Sequence, residues 1–127
     1  MNKKQKFVIC KHCGNLATLI DNQGIPLSCC GSAMTEFVPN TVDASNEKHV
    51  PEVKVSGDKM SVAVGSVAHP MTDEHYIGFI YVETAHGGQF KRLSPGDAPA
   101  AEFSFADDTP ITVYEYCNLH GLWSVEV

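Results

Sequence analysis

The sequence has no apolar run close to the roughly 18 residues that a membrane-spanning helix needs, so no such span is expected. Basic residues are also few, because 9 Lys and Arg stand against 15 Asp and Glu, which gives a formal net charge of −6. A basic surface that binds nucleic acid is therefore not expected. The N-terminal decapeptide is basic but lacks the apolar stretch of a signal peptide, which predicts a cytoplasmic protein.

Cysteine and histidine are the informative residues of this composition. The 127 residues, 43% hydrophobic and 19% charged, are typical of a soluble globular chain with one ordinary domain, or with a small domain and a minimal one. Five cysteines and six histidines occur among them. Disulfides are rare in the cytoplasm, so these residues are better interpreted as metal ligands than as crosslinks.

The chain divides into two segments with different ligand types. Four of the five cysteines lie in the first thirty residues, whereas five of the six histidines lie between His49 and His120. Residues 38–46 are polar and rich in turn formers, which predicts a linker between a first domain at 1–37 and a second at 47–127. Some thirty residues cannot form an adequate hydrophobic core, so the first domain needs a metal or another crosslink.

Short strand patterns, separated by turn signals, run through both segments. They cover residues 6–9, 16–20 and 34–38 in the first segment and residues 59–64, 76–84, 102–105, 111–116 and 123–127 in the second. No stretch is convincingly helical. Strands at this spacing predict an all-β chain whose second domain is an antiparallel sandwich or barrel.

The first ligand cluster combines a Cys-x-x-Cys turn, Cys10 and Cys13, with the adjacent pair Cys29 and Cys30. Two such pairs can surround one ion, and zinc and mononuclear iron both accept four thiolates. Adjacent cysteines cannot form the usual second knuckle, so the tetrahedron should be distorted. Two disulfides or isolated thiols are the alternative, which a cytoplasmic chain disfavours. Spacing alone does not choose between zinc and iron.

A second cluster is predicted from four histidines and the remaining cysteine. Cys117 and His120 flank a tight turn, His69 and His75 flank another short loop, and His49 follows the linker. A thiolate with imidazoles suits iron, zinc or copper. Five candidate ligands exceed the four of a closed zinc site, which favours a five-coordinate metal with an open face.

Two histidines fall outside both clusters. His12 lies inside the first cysteine turn, where four thiolates already fill a tetrahedral site, so it is expected as an exposed loop residue. His86 precedes Gly87-Gly88, a hairpin-like turn, and is expected at the surface.

Several spaced segments closely resemble, in order, the two-iron superoxide reductases known as desulfoferrodoxins. The matching segments are EKHVP at 47–51, GSVAHPM at 65–71, EHYI at 74–77, PGDAP at 95–99 and EYCNLHG at 115–121. The four N-terminal cysteines resemble the desulforedoxin-like domain of that family. The resemblance covers essentially the whole chain, and no ligand position departs from the pattern.

The resemblance implies two irons per chain. The first, rubredoxin-like iron would be bound by Cys10, Cys13, Cys29 and Cys30. The second would be bound by His49, His69, His75 and His120 in its equatorial plane, with Cys117 axial and a sixth position open in the ferrous state. Glu47 would occupy that position in the ferric state, and Lys48 would lie near it.

The fold implied is a small desulforedoxin-like or rubredoxin-like domain followed by an immunoglobulin-like β-sandwich, in a homodimer. The activity implied is one-electron reduction of superoxide to hydrogen peroxide at a non-haem iron, with electrons from rubredoxin or a similar small redox protein. Superoxide is an anion and the chain carries −6, so its attraction must be local, and Lys48 is the candidate. Two alternatives are a rubredoxin-like electron-transfer protein without oxygen chemistry and a zinc-stabilised binding module.

Overall fold

The computed structural model describes residues 5–127, which are nearly all β-structure. The chain divides into two compact units, Met1–Val38 and Pro39–Val127. Within residues 5–127, no helix has the length and apolar character needed to cross a membrane. The all-β fold predicted from the strand and turn patterns is confirmed.

The strands are short and follow one another closely along the chain. The first unit contains β1 (Phe7–Ile9), β2 (Leu16–Thr18), β3 (Ser28–Cys29), β4 (Ser32–Ala33) and β5 (Thr35–Glu36). The second contains α1 (Asn46–His49), β6 (Pro51–Ser56), β7 (Lys59–Val64), β8 (Ile77–Thr84), β9 (Gly87–Arg92), β10 (Ala100–Ser104), β11 (Pro110–Cys117) and β12 (Gly121–Glu126).

The first unit has two small antiparallel sheets and little core. One sheet has the strand order β2-β1-β5, and the other is the hairpin of β3 and β4. Among the described residues of this unit, only Phe7, Val8 and Cys10 are buried. Three buried side chains cannot offset the conformational entropy of so many ordered residues, so the unit needs an additional crosslink.

The second unit is a sandwich of two antiparallel sheets. Their strand orders are β10-β7-β6 and β12-β11-β8-β9. The core between them includes Met60, Val62 and Val64 of β7 and Ile80 and Val82 of β8. On β7 these buried residues alternate with exposed ones, which is the period of two expected for a strand with one face in the core. The predicted sandwich is confirmed, and its three-plus-four strands match an immunoglobulin-like count.

The β8–β9 hairpin corrects one sequence interpretation. Gly87 and Gly88, predicted as a hairpin turn, are the first residues of β9 and pair with Thr84 and Glu83. The side chains of β9 are mostly exposed, so the strand lacks the apolar alternation by which strands are recognised. A Cβ added to Gly88 would overlap the end of the Tyr81 side chain, so a larger residue there would require that ring to move.

Within the second unit, Asn40 attaches the segment before α1 to the sandwich. The Asn40 N–H donates to the Leu122 carbonyl oxygen at 3.1 Å, and its Nδ2 donates to the Ser124 carbonyl oxygen at 3.1 Å. The Ser124 N–H donates back to Asn40 Oδ1 at 2.9 Å. Asn46, the last residue of the predicted linker, begins α1. These bonds attach the chain to the edge strand β12 just before it reaches α1.

The Asp108 carboxylate joins the β8–β9 turn to the segment before β11. It accepts hydrogen bonds from the Thr84 hydroxyl at 2.6 Å, the Thr109 N–H at 2.9 Å and the His86 N–H at 3.1 Å. These bonds, with that of Thr84 the largest cause, hold the pKa of Asp108 below its ordinary value of 3.8. Because the folded pKa is lowered, the stabilisation is present above about pH 4 and is lost as the pH falls through the folded pKa.

We therefore expect Asp108→Asn to lower the melting temperature of the second unit at pH 7, and the difference from wild type to shrink below about pH 4. Thermal unfolding followed by the fluorescence of Trp123, the one tryptophan of the chain, measures this. Asp107→Asn is the matched control, because asparagine tolerates the positive φ of 52° at that position. A difference that stays constant between pH 3 and pH 7 would contradict the assignment.

Candidate metal centres

Four thiols meet in the first unit. Cys10 follows β1, and Cys13 lies in the next turn, which is closed by the Gly14 N–H donating to the Cys10 carbonyl oxygen at 2.8 Å. Cys29 ends β3, and Cys30 follows it. The four sulfur atoms lie within 4.8 Å of one another.

The β3–β4 turn explains how two adjacent cysteines can face the same point. Cys29 pairs with Ser32, which leaves Cys30 and Gly31 as a two-residue turn. Both have positive φ values, 52° and 77°, as a type I′ turn requires. The chain reverses direction immediately after Cys29, and the two sulfur atoms lie 3.9 Å apart.

This arrangement of sulfur atoms fits a tetrahedral metal ion. Sulfur atoms bound to one ion at about 2.3 Å lie about 3.8 Å apart, and the Cys13 and Cys29 sulfur atoms are 3.6 Å apart. Without a bound cation, the four thiols do not lose their protons at the same pH. Hydrogen bonding to the Cys13 backbone lowers the pKa of Cys10 to about 6, whereas the bond with the Cys13 thiol raises the pKa of Cys30 to about 12. A bound cation would let all four ionise.

Four histidines and the remaining cysteine lie at one end of the sandwich. His49 precedes β6, His69 follows β7, His75 precedes β8, and Cys117 and His120 flank the β11–β12 turn. In an antiparallel pair, the end of one strand lies beside the start of its partner. The registers of β6 with β7, and of β11 with β8 and β12, therefore bring these five residues to the same end of the sandwich.

The four imidazole rings form a square. Adjacent rings have centroids 4.5 to 5.0 Å apart and planes inclined by 80–82°. The rings of His49 and His75 are diagonal to each other, with centroids 6.4 Å apart. The ligand atoms of His49, His69, His75 and Cys117 lie within 4.8 Å of one another. His120 joins them through Nδ1, which lies 3.1 Å from His49 Nε2.

Backbone carbonyls decide which nitrogen of two rings faces the centre of the square. His49 Nδ1 lies 2.7 Å from the Ser45 carbonyl oxygen, and His69 Nδ1 lies 2.7 Å from the Pro70 carbonyl oxygen. A carbonyl only accepts, so both Nδ1 atoms carry the proton and both Nε2 atoms of the neutral rings keep a lone pair. Those Nε2 atoms nevertheless face each other at 3.2 Å, where neither can donate.

A metal ion at the centre accounts for these facing lone pairs. Nitrogen atoms bound at about 2.1 Å in adjacent positions lie about 3 Å apart, close to the 3.1 and 3.2 Å observed. His75 Nε2 is buried and has no hydrogen-bond partner in the described part of the chain. Leaving such an atom unsatisfied costs about 1–3 kcal/mol, which coordination would recover.

Burial sets the protonation states that a metal requires. Desolvation lowers the pKa of His49 and His75 and brings the pKa of His69 to about 4, so these imidazoles are neutral at neutral pH. Burial raises the pKa of Cys117, which is 0% exposed and whose Sγ lies 3.8 Å from His120 Nδ1. A metal would favour the thiolate, because a coordinating thiol loses its proton.

The one-turn helix α1 brings Glu47 and Lys48 to the same end of the sandwich. His49 is the last residue of the helix, so both precede a candidate ligand directly. Glu47 is exposed, and its Oε1 accepts a hydrogen bond from the Ser45 hydroxyl at 3.2 Å. Lys48 is half-buried, and its charge contributes to the lowered pKa values of His49 and His75. A positive charge therefore lies beside the imidazole square.

Comparison with known proteins identifies the family. The desulfoferrodoxin family model matches residues 41–126, which include the whole imidazole square and Cys117. This chain belongs to the desulfoferrodoxin family. A desulfoferrodoxin of Syntrophotalea carbinolica is 45% identical to it over 127 residues, covering 99% of each chain.

Two solved structures are similar to this chain over different shares of its length. The superoxide reductase of Treponema pallidum has a TM-score of 0.82 and 38% identity, covering 98% of this chain and 100% of that one. The superoxide reductase (1Fe-SOR) of Giardia intestinalis has a TM-score of 0.52 and 34% identity, covering 64% of this chain and 99% of that one. In this desulfoferrodoxin family member, the four-cysteine cluster and the histidine–cysteine cluster are consistent with two irons per chain.

Three residues of the second centre were not recognised as such from the sequence. The Trp123 ring stacks on His49 with centroids 4.9 Å apart, and its Nε1 donates to the His120 carbonyl oxygen at 3.1 Å. Asn118 Nδ2 donates to the Glu74 carbonyl oxygen at 3.0 Å, so it ties the loop before His75 to the Cys117 turn. The single tryptophan three residues after a candidate ligand is the signal that could have indicated the first contact.

Glu115 is the third residue of the second centre that was not recognised from the sequence. It lies two residues before Cys117 on the same face of β11, is 0% exposed, and has no partner for either carboxylate oxygen in residues 5–127. Burial raises its pKa to about 9, so this carboxyl is protonated at neutral pH. An acidic residue at an inward position of a strand, two residues after the core residue Val113, was the available signal.

The two remaining histidines take no part in either centre. His12 is exposed in the first cysteine turn, as predicted. The His86 side chain is 78% exposed, and its Nδ1 lies 3.1 Å from Asp108 Oδ1. Both expectations of a surface position are confirmed.

Proposed function

We propose that this desulfoferrodoxin family member is a superoxide reductase, which combines one superoxide, one electron and two protons into one hydrogen peroxide. The observation that carries the proposal is the square of four imidazoles beside a buried thiol, with two Nε2 lone pairs facing each other at 3.2 Å. The names of the Treponema and Giardia relatives support the same reaction.

We infer that His49, His69 and His75 through Nε2, His120 through Nδ1, and Cys117 through Sγ bind the second iron. Iron supplies a one-electron redox change and an open coordination position, which a closed zinc site does not. A bound iron would keep net positive charge among the neutral imidazoles, and the Cys117 thiolate would donate electron density to it. Cys10, Cys13, Cys29 and Cys30 would bind the first iron, whose role we take as structural first and electronic second.

The two α1 residues have opposite proposed roles. Lys48 attracts and holds the anionic substrate, because the chain as a whole carries −6 and repels it. Glu47 would bind at the iron after turnover and help to release peroxide. Its carboxylate is exposed and accepts a hydrogen bond from the Ser45 hydroxyl at 3.2 Å, which it would give up to do so.

Replacing Lys48 by alanine should slow superoxide association about tenfold at low ionic strength and flatten its dependence on salt, because the local positive charge is removed. Pulse radiolysis at several ionic strengths measures both effects. Lys59→Ala is the matched control, since it removes the same charge at the far end of the β6–β7 hairpin, where Ser56 pairs with Lys59. Equal rates for Lys48→Ala and wild type at every ionic strength would rule out this role.

The reaction itself is tested by metal analysis, optical spectra and product stoichiometry of the full chain. We expect two irons per chain, a thiolate-to-iron absorption band that responds to superoxide, and one peroxide per superoxide when a reductant is supplied. Dismutation would instead give one peroxide and one dioxygen from two superoxides. Iron confined to the cysteine cluster would indicate an electron carrier, and zinc in both clusters would indicate a binding module.

We also propose that the protein works in the cytoplasm as a homodimer and takes electrons from rubredoxin or a similar small redox protein. The resemblance of its motifs to the two-iron desulfoferrodoxins supports the dimer and the donor. The grouping of all five cysteines into two ligand clusters suits a reducing compartment. Sedimentation of the iron-loaded chain tests the homodimer, and reduction by added rubredoxin tests the electron donor.

A further inference from the structure

The loop that leads from β7 to His69 lies against the backbone of α1. Gly65 is buried at this contact. A Cβ added to Gly65 would lie 2.6 Å from the Glu47 carbonyl oxygen, 2.9 Å from the Val50 carbonyl oxygen and 3.1 Å from the Lys48 carbonyl carbon. All three are backbone atoms, which cannot rotate away as the end of a side chain can. Any side chain at position 65 would therefore displace the helical turn.

Hydrogen bonds from the same loop hold α1 in this position. The Val67 N–H donates to the Glu47 carbonyl oxygen at 2.8 Å, and the Ser66 hydroxyl donates to the same oxygen at 3.2 Å. The loop is itself fixed, because the His69 N–H donates to the Val64 carbonyl oxygen at 2.9 Å. The 65–69 segment thus bonds to the helix that carries Lys48, and the same segment leads directly to His69, a candidate iron ligand.

The other contacts that hold α1 lie towards its two ends: Asn40 bonds to β12 before the helix, Trp123 stacks on His49, and Pro51 pairs with Val64. Ser45 makes no side-chain cap bond to the helix, and the helix has one turn. The backbone bonds from Lys48 to Ser45 and from Val50 to Asn46, at 3.3 and 2.9 Å, complete that turn. A helix this short is unstable by itself. The bonds from the 65–67 loop to the Glu47 carbonyl oxygen therefore hold the part of α1 that carries Glu47 and Lys48.

We propose that Gly65, Ser66 and Val67 form a clamp on the backbone of α1 that positions Lys48 beside the imidazole square. This inference rests on the proposed function, since it assigns the clamp to the superoxide-attracting lysine. Gly65 is a positioning residue, because it acts through Lys48 and does not touch the substrate.

The test compares Gly65→Ala with wild type in the iron-loaded full chain. We expect both irons to be retained, superoxide association to slow about tenfold at low ionic strength, and its salt dependence to flatten as in Lys48→Ala. If Gly65 acts through Lys48, the double variant Gly65→Ala/Lys48→Ala should be no slower than Lys48→Ala. A double variant slower by the full factor of Gly65→Ala would overturn the proposal.

Amide hydrogen exchange gives a readout that does not depend on turnover. In Gly65→Ala, exchange should speed up at residues 46–50 while β8 and β11 keep their protection. Gly78→Ala is the matched control, because its added Cβ would meet Tyr116 at 3.4 Å, an ordinary contact. Unchanged exchange at 46–50 would overturn the clamp.

A second variant covers the case in which Gly65→Ala does not fold. Ser66→Ala removes one hydrogen bond to Glu47 and adds no bulk, so it should change exchange and salt dependence in the same direction by a smaller factor. Wild-type values in Ser66→Ala would then overturn the clamp. If wild type does not consume superoxide, the proposed function fails, and the exchange measurements alone decide whether the clamp exists.

Discussion

Replacing Cys13 by serine is expected to remove the first iron and unfold the first unit, while the second unit stays folded and keeps its iron. Thiolate binding of a structural zinc contributes about 10–16 kcal/mol of apparent free energy in small domains. Iron in this site would stabilise the folded unit in the same way. The described residues of this unit offer little to replace it, because Phe7, Val8 and Cys10 are the ones buried. Loss of one thiolate should therefore abolish the folded state of the unit.

Metal analysis, limited proteolysis and hydrogen exchange measure this result. Iron should fall from two per chain to one, and exchange protection should be lost over residues 5–38 but kept in the sandwich. His12→Ala is the matched control, since His12 is exposed in the same turn and is not needed by a four-thiolate site. Protection that persists in the first unit of iron-free Cys13→Ser would show that the thiolates do not hold this fold.

Replacing His75 by alanine is expected to empty the second site and abolish superoxide reduction, with the first iron retained. His75 Nε2 is buried without a hydrogen-bond partner in residues 5–127, so binding a metal is the task left for it. Loss of a residue that only supports a metal ligand costs about 10- to 100-fold in affinity or activity, and loss of a ligand should cost more.

Iron content and superoxide consumption test this variant, with the absorption of the first iron as an internal reference. His86→Ala is the control, because it removes a 78% exposed imidazole from the other end of β8. Two irons and a normal rate in His75→Ala would exclude the residue from the site. With Cys13→Ser, this variant separates the two irons, since each change should remove one and leave the other.

The parts of the fold that the sequence predicted correctly depend on local patterns. The alternation along β7 between buried Met60, Val62 and Val64 and their exposed neighbours follows from the pleat of a strand with one face in the core. The strand β9 was missed because an exposed edge strand has no such alternation. Gly87 and Gly88 then suggested a turn, although the turn lies at the two residues before them.

The candidate ligands could also be predicted, because few residue types bind iron and the spaced segments that contain them resemble those of desulfoferrodoxins. The residues that contact these ligands could not be predicted. The Trp123 ring of β12 stacks on His49 of α1, and the Asn118 side chain donates a hydrogen bond to the loop before His75. Glu115 is buried beside Cys117 by the register of β11, whereas its position in the sequence shows only an acidic residue in an apolar run. The contacts of Trp123 and Asn118 join distant parts of the chain, so the sequence does not show their partners. Glu115 is close to Cys117 in the sequence, but its burial depends on which face of β11 turns inward.

The sequence by itself determined which groups are available as ligands: four thiols in one small domain, and four imidazoles with a fifth thiol in the other. Only the tertiary structure decided how those groups are presented. The Ser45 and Pro70 carbonyl oxygens select Nε2 of His49 and His69 by accepting from Nδ1, while His120 presents Nδ1. Ligand type belongs to a side chain, but the choice of nitrogen depends on hydrogen bonds made by backbone that folding brings beside it.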